Sequence, residues 1–195
     1  TLPLAVRIDR LQIRKLRILG GGRSTAEKPP SLFEIDDISA GLTSDGRQHV
    51  LSDARLTTPF GALSGTATLD GAKPFTLDAT LRADGQLDSK TYAVEATAHG
   101  PLEALAVSAK ATGWNLSGEA DLAITPFAAV PLRQARLRIG DIDPAAFSPG
   151  APHAAMRLVA DLVPRMAEGG APKSLDQWVL AGPIEIVNRE PGPFD

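Results

Sequence analysis

The sequence predicts an all-β protein, built as an antiparallel sheet of hairpins with few or no helices. Apolar and polar residues alternate through most of the chain, and glycine or proline turns interrupt this alternation at short intervals. Because successive side chains of a strand point to opposite faces, the alternation gives each strand one apolar and one polar face. Strands joined by short turns, with no helical segment between them, pair antiparallel.

Five consecutive runs show this alternation most clearly, over residues 75–83, 92–98, 105–111, 116–124 and 135–139. Their large apolar side chains are the candidate lining of any apolar groove. These are Phe75, Leu77, Leu81, Tyr92, Val94, Leu105, Val107, Leu116, Leu122, Ile124, Leu137 and Ile139. Hairpin corners are expected between the runs because Gly permits positive φ and Pro fixes φ. The corner signals are Asp70-Gly71, Asp84-Gly85, Gly100-Pro101 and Gly113.

The N-terminal stretch, residues 4–19, is also strand-like, but its apolar phase slips after Ile8 and again after Ile13. A slip of one residue would turn every following side chain to the other face, so we expect a bulge at each slip. The cations of this stretch then fall on the polar face. Such a run is typical of a solvated strand face, and contact with an anionic surface is the alternative.

Local signals predict the structure of five further segments. Residues 20–31 and 164–174 are rich in Gly, Pro and polar residues and predict flexible loops. Asp143 followed by Pro144 predicts one capped helical turn. Residues 156–162 alternate as a strand, although residues 153–166 could also form a short amphipathic helix, and residues 178–188 predict a last hairpin.

Composition narrows the function. The chain has 195 residues, a net charge of −3 and no cysteine. A cysteine-free chain has no disulfide, thiolate nucleophile or Cys-ligated zinc. The acidic balance argues against a dedicated nucleic-acid binder. No stretch approaches the ~18 consecutive apolar residues of a membrane-spanning helix, and we expect a single segment over residues 1–195.

No motif carries recognisable catalytic or metal chemistry, so we expect neither an enzyme nor a cofactor. Gly65 follows Ser64 directly, whereas the G-x-S-x-G nucleophile elbow needs one residue between them. A tight corner or bulge at Ser64 is the better interpretation. His49, His99 and His153 lie far apart and lack the spacing of metal ligands.

The alternation itself is the functional signal, because half-apolar hairpins must bury their apolar face. Two arrangements satisfy this: two sheets form a sandwich, or one sheet curls into a trough that holds an apolar ligand. Aromatic residues make up only 5% of the chain, and Ala and Gly are frequent at the apolar positions. Small residues leave room for a ligand chain, but the composition alone does not decide between trough and sandwich.

Three segments resemble the TamB family, the inner-membrane-anchored envelope proteins of Gram-negative bacteria related to AsmA-like proteins. Residues 2–11 (LPLAVRIDRL) are similar to a recurring opening strand of that family. Residues 100–147, from GPLEAL to DIDPAAF, resemble its repeating hairpin, and residues 180–193 (LAGPIEIVNREPGP) resemble its ending. The resemblance covers somewhat over a third of the chain, and the order of the motifs is more specific than any one of them.

The resemblance implies a U-shaped β-sheet groove, or β-taco, with an apolar interior in the periplasm. It implies movement of phospholipid between membranes for outer-membrane biogenesis, with phospholipid acyl chains as the bound ligand. It also implies support of outer-membrane protein and autotransporter assembly with a TamA-like outer-membrane β-barrel partner, contacted through other parts of a longer chain. The family has no catalytic residues to carry over.

Two other functions stay open at this point. A chaperone-like module could template outer-membrane β-strands by pairing them to an edge of the sheet. A plain β-sandwich with a structural role is the third possibility.

Overall fold

The structure is a computed structural model that describes residues 5–19, 31–87, 89–113, 116–128, 130–146, 150–165 and 179–189. These residues form twelve β-strands and one turn of 3-10 helix at Pro144–Ala146, so the predicted all-β class is confirmed. The strands are β1 (Ala5–Leu19), β2 (Ser31–Asp45), β3 (Gln48–Thr58), β4 (Gly61–Asp70), β5 (Thr76–Leu87), β6 (Lys90–Pro101), β7 (Leu105–Gly113), β8 (Leu116–Ile124), β9 (Leu132–Ile142), β10 (Met156–Arg165), β11 (Val179–Ala181) and β12 (Ile184–Asn188).

The strands form one antiparallel sheet in which β1 to β10 are neighbours in sequence order. Strands β11 and β12 both pair with β10, along different parts of its length. The sheet is curled but does not close, so β1 forms one edge and β11 with β12 the other. The described residues contain no second sheet, so this part of the chain is not a sandwich of two sheets.

The central strands pair in continuous register. The β5–β6 ladder runs from Thr76 opposite Pro101 to Leu87 opposite Lys90 without a shift, and the β4–β5, β6–β7 and β7–β8 ladders are equally regular. Because residues directly opposite each other share a face, this register carries the apolar alternation from one strand to the next.

The outer strands contain bulges, and three of them coincide with aspartates at positive φ. Asp37 has φ 50°, Asp53 has φ 49° and Asp141 has φ 59°. Each lies where its strand holds one more residue than a neighbour does. Aspartate tolerates this left-handed conformation better than most residues with a side chain.

The two phase slips predicted in β1 have different outcomes. A register shift separates Ile8 from Leu11, as predicted. None separates Ile13 from Leu16, so the second predicted bulge is wrong for β1. The extra residue lies in β2 instead, where Asp37 bulges against β3.

Three of the predicted corners lie at strand ends: β4 ends at Asp70, β6 at Pro101 and β7 at Gly113. The corner predicted at Asp84-Gly85 is wrong, because both residues lie inside β5, where Gly85 faces Tyr92. The corner predicted at Ser64 is also wrong, since Ser64 lies within β4 and the nearby bulge belongs to β3.

The C-terminal part of the sheet differs from the predicted hairpin. Residues 156–165 form a strand, so the alternative helix over residues 153–166 is excluded. Strands β11 and β12 do not pair with each other, because both follow the same side of β10 as one interrupted edge strand. Gly182 lies at the interruption, where a Cβ atom would collide with the carbonyl of Asp161.

The predicted loops fall mostly outside the described residues. Of residues 20–31, Ser31 alone is described, as the first residue of β2. Of residues 164–174, Pro164 and Arg165 are described, and both belong to β10. The strand extends through them because β11 pairs with residues 163–165 of β10, with Pro164 opposite Leu180.

Asp143 and Pro144 form the predicted capped turn. The backbone N–H of Ala145 donates to Asp143 Oδ1 at 3.1 Å, and the N–H of Ala146 donates to the Asp143 carbonyl at 3.0 Å. His153 Nδ1 lies 2.9 Å from Asp143 Oδ2, and the N–H of Ala154 reaches Oδ1 at 3.3 Å. The carboxylate therefore connects the turn after β9 with the chain entering β10.

Candidate functional site

The candidate site is one face of the central sheet, which we call the apolar face. It is defined by the row of residues that lie opposite one another on β5 to β9, together with every second residue from that row. The row consists of Leu81, Ala96, Ala109, Ala120 and Leu137. The row therefore has a leucine at each end and three alanines between them.

Eleven of the twelve predicted lining residues share this face by register. They are Leu77, Leu81, Tyr92, Val94, Leu105, Val107, Leu116, Leu122, Ile124, Leu137 and Ile139. Phe75 lies outside the strands, in the turn before β5 with φ 58°, so the register assigns it to neither face. Its N–H donates to the carbonyl of Ala72 at 2.8 Å.

The apolar face has no closed core beneath it. The buried hydrophobic residues of the described chain are Leu105, Ala135, Ala154 and Ala160, and no described side chain is less than 2% exposed. Leu81, at the β5 end of the row, is 46% exposed. A 12-stranded sheet with an apolar side normally covers it with another layer. Here the described residues supply no second sheet, and the face is open around Leu81, whereas Leu105 and Ala135 on the same face are buried.

One end of the apolar face deepens into a cavity of about 400 Å³. A volume of this size lies within the range of ligand pockets. The cavity is lined by Phe60, Tyr92, Val94, Ala111, Thr112, Gly113, Leu116, Gly118 and Ile139. Tyr92, Val94, Leu116 and Ile139 belong to the predicted lining.

Glycines on the neighbouring strands shape this cavity. Tyr92 lies opposite Gly85 on one side and Gly113 on the other. A Cβ atom on Gly85 would collide with the Phe60 carbonyl and with the Tyr92 ring. The ring therefore occupies the space that these glycines leave, a packing that stabilises glycine in strands.

Tyr92 also ties two hairpins together. Its hydroxyl donates to the carbonyl of Phe60, 2.8 Å away, in the turn between β3 and β4. Phe60 itself is 52% exposed and stands at the rim of the cavity. Phe60 is not among the predicted lining residues, because it lies in a turn outside the alternating runs. The glycines beside Tyr92 could have indicated it, because they mark a close approach of two chain segments.

The opposite face carries a row of alternating charge, which we call the charge ladder. Its members, from β5 to β9, are Arg82, Glu95, Lys110, Glu119 and Arg138, each directly opposite the next. Arg82 Nη1 lies 2.6 Å from Glu95 Oε1, and Lys110 Nζ lies 3.4 Å from Glu119 Oε1. Opposite charges on facing residues favour this register, and a one-residue shift would break the pairs.

Two carboxylates beside the ladder have pKa values below the usual range. Hydrogen bonds from Arg82 lower the pKa of Asp84, and the same bonds raise the pKa of Arg82. The Gln134 amide, which donates to Asp161 at 2.6 Å, lowers the pKa of Asp161, and Arg136 adds to the effect. These groups are fully ionised at neutral pH, and each charge already has a partner.

A hollow of about 750 Å³, larger than the apolar cavity, lies on this charged side. A twisted sheet is concave along one diagonal on each face, so a hollow on both sides is expected. Its walls include Ser64, Arg82, Glu95, Lys110 and Glu119. Because most of these charges are paired, this hollow suits water better than an apolar ligand, and the smaller cavity remains the better apolar site.

The described part of the site offers an apolar surface. Among the described residues, no three His, Cys, Asp or Glu side chains come together as a metal site. His99 pairs with Asp78 and His153 with Asp143, while His49 Nδ1 lies 2.8 Å from Ser44 Oγ. The three histidines thus lie in three separate places.

No helix in the described residues combines the length and the apolar character needed to span a membrane. No protein-family model, curated protein or solved structure matches this chain.

Proposed function

We propose that this chain is a non-enzymatic segment of a TamB-like envelope protein that conducts phospholipid along its apolar face. The proposal places it in the periplasm of a Gram-negative bacterium, as part of an inner-membrane-anchored protein. The observation that supports it best is the apolar face itself, which eleven aligned side chains line and no second layer of the described chain covers. Acyl chains are the ligand whose shape and polarity suit such a face.

The mechanism follows from the character of the face. Burying one CH₂ group is worth about 0.8 kcal/mol, so ten methylenes gain roughly 8 kcal/mol at most before ordering costs. The apolar residues of the face continue from β5 to β9, so an apolar path runs across five neighbouring strands. A lipid tail can therefore slide across the face, while its polar headgroup stays in water.

The same protein would support the assembly of outer-membrane proteins and autotransporters together with a TamA-like β-barrel, through other parts of the longer chain. This role enters through the resemblance of residues 2–11, 100–147 and 180–193 to that family. The described surface contributes the lipid path, and supply of lipid would accompany the insertion of new barrels.

Photocrosslinking tests the proposed lipid path. A photoreactive amino acid replaces Val107, and in a matched variant it replaces the adjacent Ala106, which is exposed on the opposite face. We expect crosslinks to phospholipid from position 107 and almost none from position 106, measured by mass spectrometry. Equal labelling at both positions would contradict the proposal.

A second candidate function, the templating of outer-membrane β-strands, is favoured by the open edges of the sheet. Strand β1 is 15 residues long and pairs only with β2 among the described strands. A free edge offers backbone N–H and C=O groups to an incoming strand. A photoreactive amino acid in place of Gln12 distinguishes the two functions. Templating predicts crosslinks from this position to outer-membrane proteins, whereas lipid conduction predicts none.

A further inference from the structure

Strand β1 carries a charge opposite to that of the whole chain. The chain has a net charge of −3, whereas β1 contains five cations and one acidic residue, Asp9. The cations of β1 are Arg7, Arg10, Arg14, Lys15 and Arg17. The edge of the sheet is therefore basic on an otherwise acidic protein.

Two of these cations have carboxylate partners and two do not. Arg7 Nε lies 2.7 Å from Asp9 Oδ1, and Lys15 Nζ lies 3.3 Å from Asp36 Oδ1. Arg10 and Arg14 are exposed and form no hydrogen bond or ion pair within the described part of the chain. Their guanidinium groups are available to an external anion.

The same strand exposes large apolar side chains. Ile8, Leu11, Ile13 and Leu16 are 37–46% exposed, and each faces a residue of β2 across the strand pair. Nothing in the described chain lies beyond β1 to cover them. Cations and exposed aliphatic residues thus occur together along one 15-residue edge.

We propose that β1 docks edge-on against the surface of an anionic lipid bilayer. A basic segment is attracted to such a surface, and apolar side chains beside it enter the boundary between headgroups and acyl chains. Arginine suits the role because its guanidinium binds phosphate oxygens in pairs. The free backbone groups of the edge remain hydrated among the headgroups, which the hydrocarbon core would not allow.

Two other partners fit the strand less well. Single-stranded nucleic acid is held by basic grooves with interleaved aromatic residues, and β1 contains no aromatic residue. A second copy paired through β1 would bring like charges opposite one another. The other edge of the sheet, β11 with β12, offers one acidic residue, Glu185, to balance five cations.

Vesicle cosedimentation tests the inference independently of the proposed lipid path. The probes are phosphatidylcholine vesicles, with and without about one third phosphatidylglycerol. Each cation near an anionic surface is worth about fivefold in binding, so the double variant Arg10→Gln/Arg14→Gln should bind anionic vesicles about 25-fold more weakly. The matched control, Arg133→Gln/Arg165→Gln, makes the same charge change on β9 and β10 and should bind as the wild type does.

We expect the wild type to bind anionic vesicles, to release them as salt is raised, and to ignore neutral vesicles. Equal binding of the double variant and the wild type would overturn the inference, as would equal binding to both vesicle types. Tighter binding to single-stranded DNA than to vesicles, or dimerisation that Arg10→Gln/Arg14→Gln abolishes, would also overturn it. Crosslinking from Val107 in the same variants shows separately whether the lipid path is intact.

Discussion

The central strands β4 to β8 and the first three strands reach the same fold by different means. From β4 to β8 the alternation is strict, and the ladders run without a register shift. From β1 to β4 every strand pair contains at least one shift, and Asp37 and Asp53 adopt positive φ there. Where apolar and polar residues alternate without interruption, neighbouring strands can pair in one continuous register. Where the alternation slips by one residue, a bulge is needed to return the apolar residues to one face.

The largest expected effect comes from adding one methyl group to the regular region. Gly85→Ala places its Cβ against the Phe60 carbonyl and the Tyr92 ring, and backbone atoms cannot easily give way. We expect a loss of about 2 kcal/mol of unfolding free energy, measured by urea denaturation. Gly118→Ala, on the same face, meets its nearest atoms at 3.9 Å and should be neutral or slightly stabilising. If the two substitutions changed the unfolding free energy equally, then Gly85 would not be needed for packing against Phe60 and Tyr92.

The bulged region should respond to backbone preference. Asp53→Val puts a β-branched residue into the left-handed conformation and should cost about 1–2 kcal/mol of unfolding free energy. Asp53→Gly, which relieves that conformation, should stabilise the protein or leave it unchanged. Thermal melting of both variants measures the difference. If valine is tolerated as well as glycine, then Asp53 does not define the bulge.

Substitutions in the charge ladder should change the unfolding free energy less than Gly85→Ala or Asp53→Val does. Lys110→Glu places a third carboxylate between Glu95 and Glu119 and should cost no more than about 1 kcal/mol of unfolding free energy, because the side chains are exposed. Salt should reduce the cost by screening the repulsion. The neutral variant Lys110→Gln should cost less than Lys110→Glu, because it removes the attraction to Glu95 and Glu119 without adding repulsion. A loss that salt does not change would indicate a packing effect instead.

The smallest effect concerns the connection between β9 and β10. Hydrogen bonding to His153, together with the N–H groups of Ala145 and Ala154, lowers the pKa of Asp143. A carboxyl with a lowered folded pKa stabilises the protein above its unfolded pKa and loses that contribution as the pH falls through the folded value. Asp143→Asn should therefore reduce the melting temperature at neutral pH and have little effect in acid. An unchanged difference across this pH range would contradict the assignment.

Most of the fold follows from residue patterns, and the failures share a physical cause. The alternating runs identify the strands β5 to β9 and the face of residues such as Val107 and Leu122, because a period of two has one structural meaning in a regular sheet. Gly85 was assigned to a corner because a glycine in sequence does not reveal whether it turns the chain or makes room for a neighbour. The second bulge lies in β2 because of how β2 pairs with β3. Residues 4–19, from which the bulge was predicted, carry no information about that pairing.

The candidate site was predictable to the same degree. Eleven lining residues follow from alternation alone, but the cavity near Tyr92 depends on Phe60, which reaches it from a turn 32 residues away. The openness of the face, with Leu81 46% exposed, was also beyond the sequence. The strands of a trough and of a sandwich show the same alternation of apolar and polar residues. The two arrangements differ only in whether a second sheet covers the apolar face, which the alternation does not reveal.

The response of the apolar face to a charge tests the central claim most directly. Val107→Glu and Leu122→Arg place charges on this face, and Ala106→Glu and Ala123→Arg place the same charges one residue away on the opposite face. A charge in a closed core would cost several kcal/mol and come near to unfolding the domain, whereas a charge on an open face keeps its water. Thermal melting and crosslinking to a photoreactive phospholipid are measured on all four variants. We predict that all four fold and that Val107→Glu and Leu122→Arg alone lose lipid crosslinking; unfolding of these two, or undiminished lipid binding by them, would contradict the account.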